Sequence, residues 1–181
     1  MQLRTTKSRQ AQDGFSILEM LLATVILLVG LVAIAQLVPA TILLNYRNRT
    51  DSSALVFAQR ELDQMLAQPL NPPSSPPSFT DANGNFCYLG DPTNPNHVVG
   101  TNVLLGLGNV PIIDFGSSVA NYNFTYRDPT DPSGTTYDVR WAVITTGNGA
   151  TAYSKRFILG IRQAAGNGYF QPITLDTMVT K

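Results

Sequence analysis

Glu19 is a carboxylate set into an apolar run. The run extends from Phe15 to Val38, and between Met20 and Tyr46 no other ionisable side chain occurs. A segment of that length can cross a bilayer core as a helix, for which about 20 residues suffice. A carboxylate in such a span costs about 2.5–3.5 kcal/mol at the centre and less near the interface, so it calls for a cation or donors. The chemistry this arrangement suggests is ion pairing, not catalysis. Asp81-Ala82-Asn83-Gly84-Asn85 places oxygen ligands at alternate positions, as a calcium loop does. It has Phe86 where such a loop needs its sixth-position glycine, and Pro92 where it needs the final Glu, so a tight turn at Asn83-Gly84 is the simpler reading. Asp128-Pro129-Thr130-Asp131-Pro132-Ser133-Gly134 reads in the same way as consecutive turns. His97 is the only histidine and Cys87 the only cysteine, which leaves no zinc cluster and no intramolecular disulfide. Cys87 reads as a small buried hydrophobe, with an intersubunit bridge or reactive thiol as the functional alternative. Trp141 reads as core, with ligand stacking as the alternative. There is no nucleophile-elbow pattern, and the glycines at 104–109 form no phosphate loop, so no enzyme, metal or cofactor signal is present.

The elements that must position these residues follow from periodicity. The apolar segment is expected to continue as a helix through Pro39, which removes one backbone hydrogen bond and kinks the axis. Residues 39–68 then turn amphipathic. Leu55, Ala58, Leu62, Met65 and Leu66 follow one helix face, while Arg47, Arg49, Asp51, Gln59, Arg60, Asp63 and Gln64 supply the other. Gln68-Pro69 ends the helix. Residues 69–80 form a Pro/Ser-rich connector, of which Asn71–Ser78 is expected to be extended in polyproline II. Beyond it the period changes to two. Short strands are expected at Phe86–Leu89, Val110–Phe115 and Tyr122–Tyr126, with a final strand or two in 169–180. The strongest pair is Tyr137–Thr146 with Ala152–Arg162, joined by a hairpin turn at Gly147-Asn148-Gly149-Ala150. Residues 90–109 are expected as surface loop. One long helix followed by antiparallel strands is α+β, with residues 81–181 as a β-rich head.

Upstream of the apolar run, residues 1–14 carry Arg4, Lys7 and Arg9 against Asp13 and end in Gly14. Gly14-Phe15-Ser16-Ile17-Leu18-Glu19 resembles the processing site of type IV prepilins, the class III signal peptide. The resemblance covers residues 8–40 closely and the following amphipathic helix loosely. It implies a type IV pilin-like fold, with the second half of the helix packed on an antiparallel sheet. It also implies removal of leader 1–14 by prepilin peptidase between Gly14 and Phe15, N-methylation of Phe15, and residues 15–38 as a transmembrane and then filament-core helix. Glu19 would pair with the terminal amine of a neighbouring subunit, and Pro39 would mark a helix kink. The implied partners are other pilin subunits, the peptidase and methyltransferase, an inner-membrane assembly platform, and the membrane before assembly. The implied location is the bacterial inner membrane and then a periplasmic or extracellular filament. Within the family, the Ala-containing run followed by Val29-Gly30-Leu31 looks like the minor-pilin branch. A major pilin and a type II secretion pseudopilin share the same N-terminal logic.

Two other readings compete. Ala33-Ile34-Ala35 before Gln36 fits signal peptidase I, which would release a soluble β-rich binding domain. Glu19 and the length of the apolar run argue against that. An uncleaved anchor with its basic end inside is the third reading. The chain has 12 basic and 12 acidic residues; removing residues 1–14 takes three basic and one acidic, leaving nine against eleven. That balance carries no nucleic-acid footprint.

Overall fold

The computed structural model describes residues 14–129, 134–149, 151–164 and 172–180. The leader expected at 1–14 lies outside them except for Gly14. The chain divides into two compact units, Met1–Asn45 and Tyr46–Lys181. Helix α1 (Ile17–Leu66) contributes to both, and nine strands follow it among the described residues, so the class is α+β.

In the first unit α1 is apolar on every side, and every described residue is solvent-exposed. Ser16 starts the helix. Its carbonyl accepts the amides of Glu19 (3.0 Å) and Met20 (3.1 Å), and its hydroxyl accepts the amide of Leu18 at 3.2 Å. Those bonds satisfy donors that a helix N-terminus otherwise leaves unpaired. Pro39 lies inside α1 and does not end it. Thr24 and Thr41 return their hydroxyls to the carbonyls of Leu21 (2.8 Å) and Leu37 (2.9 Å), so neither polar group is left bare along the apolar surface.

In the second unit the remainder of α1 lies on a five-stranded antiparallel sheet. Its buried stripe is Ala54, Phe57, Ala58, Glu61, Leu62 and Met65. Leu55, expected on that stripe, is exposed, because one residue from Ala54 is about 100° around the helix. The sheet runs β3 (Val98–Gly100), β7 (Thr136–Gly147), β8 (Ala152–Gln163), β9 (Ile173–Thr180), with β6 (Asn123–Arg127) also pairing β7. β3 and β6 share one edge of β7: β3 lies opposite Ala142–Ile144 and β6 opposite Thr136–Arg140. The β7–β8 hairpin falls where the alternating pattern placed it, with Val139 against Ile161 and Val143 against Phe157. Tyr137, Val139, Trp141, Val143, Phe157, Leu159 and Ile161 face α1 and form the main core.

Two expectations need correction. The connector 69–80 is not unpaired to its end. Ser78–Thr80 is strand β1, paired with β2 (Phe86–Tyr88) through the Asn83-Gly84 turn. The segment 90–109 is not all loop. It contains β3 and β4 (Val103–Leu105), which pairs with β5 (Pro111–Ile113) around a 3-10 turn at Leu107–Asn109. These strands are three residues long, too short to show a period. The even-numbered face of β7 is covered in part by β5. Ile113 of β5 packs on Ala142 and Ile158, with Val103, Phe115 and Ile144 beside it. Gly160 permits that approach, since a Cβ there would stand 2.6 Å from Ile113 Cβ.

Candidate functional site

The residues singled out for processing and assembly lie together at the start of α1. Gly14, Phe15 and Ser16 precede the helix, and Glu19 occupies its first turn. Ser16 and Glu19 stand at the N-cap and N3 positions of an S-x-x-E pattern, the spacing of a capping box. That pattern was legible in the sequence and gives Glu19 a local role, because a carboxylate in the first turn is favoured by the helix dipole. It does not neutralise the charge. Among the described residues, Glu19 has no ion pair and no side-chain hydrogen bond. Its neighbours Phe15, Ile17, Leu18 and Met20 are 62–83% exposed. The result is an uncovered apolar first part of α1, residues 17–45, bearing near its start one carboxylate that has no partner among the described residues.

A second group of titratable residues lies under the other half of α1, and periodicity did not point to it. Glu61 is fully buried on the face that meets the β1–β2 hairpin. Asp81 holds that hairpin's turn. Its Oδ1 accepts the amides of Asn83 (3.0 Å) and Asn85 (2.6 Å), and its Oδ2 accepts Asn85 Nδ2 at 2.8 Å. Gln64 joins helix to turn by accepting the Ala82 amide on Oε1 at 2.7 Å. Burial, then the nearby charge of Asp81 and its pull on a shared proton, push the Glu61 carboxyl up to about 8; Arg60 opposes this. Neither Glu61 oxygen meets hydrogen-bond geometry, so Asp81 acts by proximity here and not through a formed bond. Cys87 lies beside the same pair; burial first, then Asp81 and Glu61, raise its thiol to about 12. A thiol held that high is a poor nucleophile, which matches the reading of Cys87 as a buried small hydrophobe. The Asp81 loop is a turn, as its sequence suggested, and no cluster of metal-ligating residues occurs among the described residues.

The remaining candidates separate in space. Trp141 is fully buried and donates Nε1 to the Tyr88 carbonyl at 2.9 Å, so it is core. His97 is exposed just before β3. On the sheet face opposite α1, Asp138 is shared by Arg140 (2.9 Å) and Arg162 (3.1 Å), and the Phe115 ring lies 5.3 and 4.6 Å from their guanidinium carbons. Lys155 is 2% exposed, and its Nζ has no hydrogen-bond partner; burial lowers it to about 8.

These features define an α+β protein whose N-terminal helix is long and apolar enough to cross a membrane and whose second unit is a helix-backed antiparallel sheet. No known family, curated protein or solved structure matches the chain.

Proposed function

We propose that this chain is a type IV pilin-like subunit, a structural component of a pilus or related filament and not an enzyme. The observation that carries the reading is the motif Gly14-Phe15-Ser16-Ile17-Leu18-Glu19 set directly ahead of an apolar helix whose surface is entirely uncovered. So much exposed apolar surface is unfavourable in water and must be taken up by lipid, by other helices, or by each in turn. In this reading residues 1–14 stay on the cytoplasmic side, prepilin peptidase cuts after Gly14, and Phe15 becomes the methylated N-terminus. The helix leaves the membrane to pack among copies in a filament core. There the unpaired carboxylate of Glu19 meets the amine of a neighbouring subunit and sets the axial register. Pairing is required because a lone charge withdrawn from water is strongly disfavoured.

Glu19 inside the apolar run and a helical pattern that continues past Gln36 support this reading over the secretory alternative. Mass spectrometry of the N-terminal peptide from native cells tests the proposal. N-methyl-Phe15 is the expected end. Gln36 would make this a secreted domain, and an intact Met1 would make it a plain anchor; either result ends the filament reading.

A further inference from the structure

One surface of the second unit combines charge, stacking and neutral hydrogen-bonding groups in a way that the filament reading does not use. Phe57 of α1 and Tyr126 of β6 stack face to face, with ring centroids 3.8 Å apart and planes 7° from parallel. The Arg60 guanidinium lies over both rings, 5.0 Å from Phe57 and 5.7 Å from Tyr126. Tyr126 and Arg60 also line a depression of about 450 Å³ with Asn83, Asn85, Thr125 and Arg127. Gly134 fits the side chain of Arg127, because a Cβ at that position would stand 2.6 Å from its Nη2.

Neither Arg60 nor Arg127 has a carboxylate partner among the described residues; Arg60 makes only a long 3.4 Å contact to Asn83 Oδ1. The other arginine pair on this unit, Arg140 and Arg162, shares Asp138. Asp128 lies in the adjoining depression of about 300 Å³ but does not line this one. Two guanidinium groups without a carboxylate partner among the described residues call for an anion, since their donors suit carboxylate or phosphate. A bare anion would leave the aromatic wall, two amides and a threonine hydroxyl unused. A pyranose ring presents a flat C–H face for stacking, and its hydroxyls both donate and accept. The volume falls within the range of small-molecule sites.

We infer that Arg60, Arg127, Tyr126, Asn83, Asn85 and Thr125 form a binding site for an acidic saccharide, with the arginines on its carboxylates and Tyr126 beside a sugar ring. The site is independent of how the N-terminus is processed.

The test is calorimetric titration of the full chain, solubilised in a polyoxyethylene detergent that has no sugar headgroup. The probes are tetragalacturonate, its fully methyl-esterified form, inorganic phosphate and a dT8 oligonucleotide. Tetragalacturonate is expected to bind saturably, with the ester at least about tenfold weaker. Arg60→Gln and Arg127→Gln should each weaken binding about tenfold, the scale of one charge-assisted hydrogen bond. Arg156→Gln, on β8 and paired with Asp176, does not line the site and should leave binding unchanged. Both site arginines are exposed, so melting of the variants should match the parent and exclude misfolding as the cause. No saturation by about 10 mM tetragalacturonate, beyond the weakest affinity worth calling a site, overturns the proposal. So does equal binding of phosphate, tighter binding of dT8, or indifference to both arginine substitutions.

Discussion

Replacing Glu61 with glutamine removes one ionisable group from beneath α1 at almost constant volume. In the folded chain the carboxyl titrates near 8 instead of 4.5, first because it is buried and then because Asp81 is close. A carboxyl whose folded value is raised holds its proton more tightly when folded. Its contribution is therefore complete below the unfolded value, and it is lost as pH rises from 4.5 through about 8. Each unit in that window is about 1.4 kcal/mol, so the wild-type chain forgoes on the order of 3 kcal/mol by pH 7 and somewhat more by pH 9. Glutamine has no such titration, and its amide can donate to the Asp81 carboxylate. Thermal melts of both proteins across pH 5–9 in one detergent measure the effect. Lys155, lowered to about 8 by burial, titrates in the same range, but it is present in both proteins and drops out of the difference. The gap in stability should be small at pH 5 and widen steadily in favour of Glu61→Gln above neutrality. A gap that is constant with pH, or that narrows as pH rises, would refute the burial argument for Glu61.

Two further outcomes follow from the proposed filament reading and two from the geometry. Glu19→Ala should leave maturation at Gly14 nearly intact and reduce filament recovery in a shear-and-sediment assay; normal filament yield would remove the pairing role. Gly14→Leu should leave unprocessed precursor on a gel, whereas normal maturation would favour the secretory or anchor readings. Gly160→Ala should destabilise the second unit by roughly 1–3 kcal/mol in denaturant melts, because a Cβ would press into Ile113 where β5 crosses β8. Asp138→Ala should cost a similar or larger amount, since it leaves the Arg140 and Arg162 guanidinium groups facing each other across Phe115; unchanged melting would show that solvent screens the pair.

The long elements were readable from local pattern. The β7–β8 hairpin follows from twelve-residue alternating runs on either side of a Gly-Asn-Gly turn, and the structure pairs Trp141 with Leu159 as that pattern requires. β1, β3, β4 and β5 are three residues each, and their pairing is decided by what lies across from them. The connector could not be read as ending in a strand, because Ser78–Thr80 has no strand pattern of its own and is held by register with Phe86–Tyr88. Gly14, Phe15 and Glu19 are singled out by the resemblance of their segment to a prepilin processing site, and the same segment holds the Ser16 cap. Glu61 was not found, since a lone glutamate among Arg60, Asp63 and Gln64 looks like part of a solvated face. Its burial depends on the β1–β2 turn arriving from twenty residues further along the chain.

The sequence by itself determined that this protein has an apolar helix with one acid near its start, an amphipathic continuation, and an antiparallel hairpin as the centre of its sheet. Those are properties of neighbours along the chain, where a period of 3.6 or 2 is visible without knowing what the other side touches. Only the tertiary structure decided which charges are buried, shared or left unpaired. Asp138 is shared by Arg140 and Arg162, Asp81 raises Glu61, and Arg60 lines one depression with Tyr126 and Arg127 without an ion pair to either arginine among the described residues. Electrostatic environment depends on distance and solvent access in space, and residues 23 to 67 positions apart become neighbours only when the helix and the strands are packed.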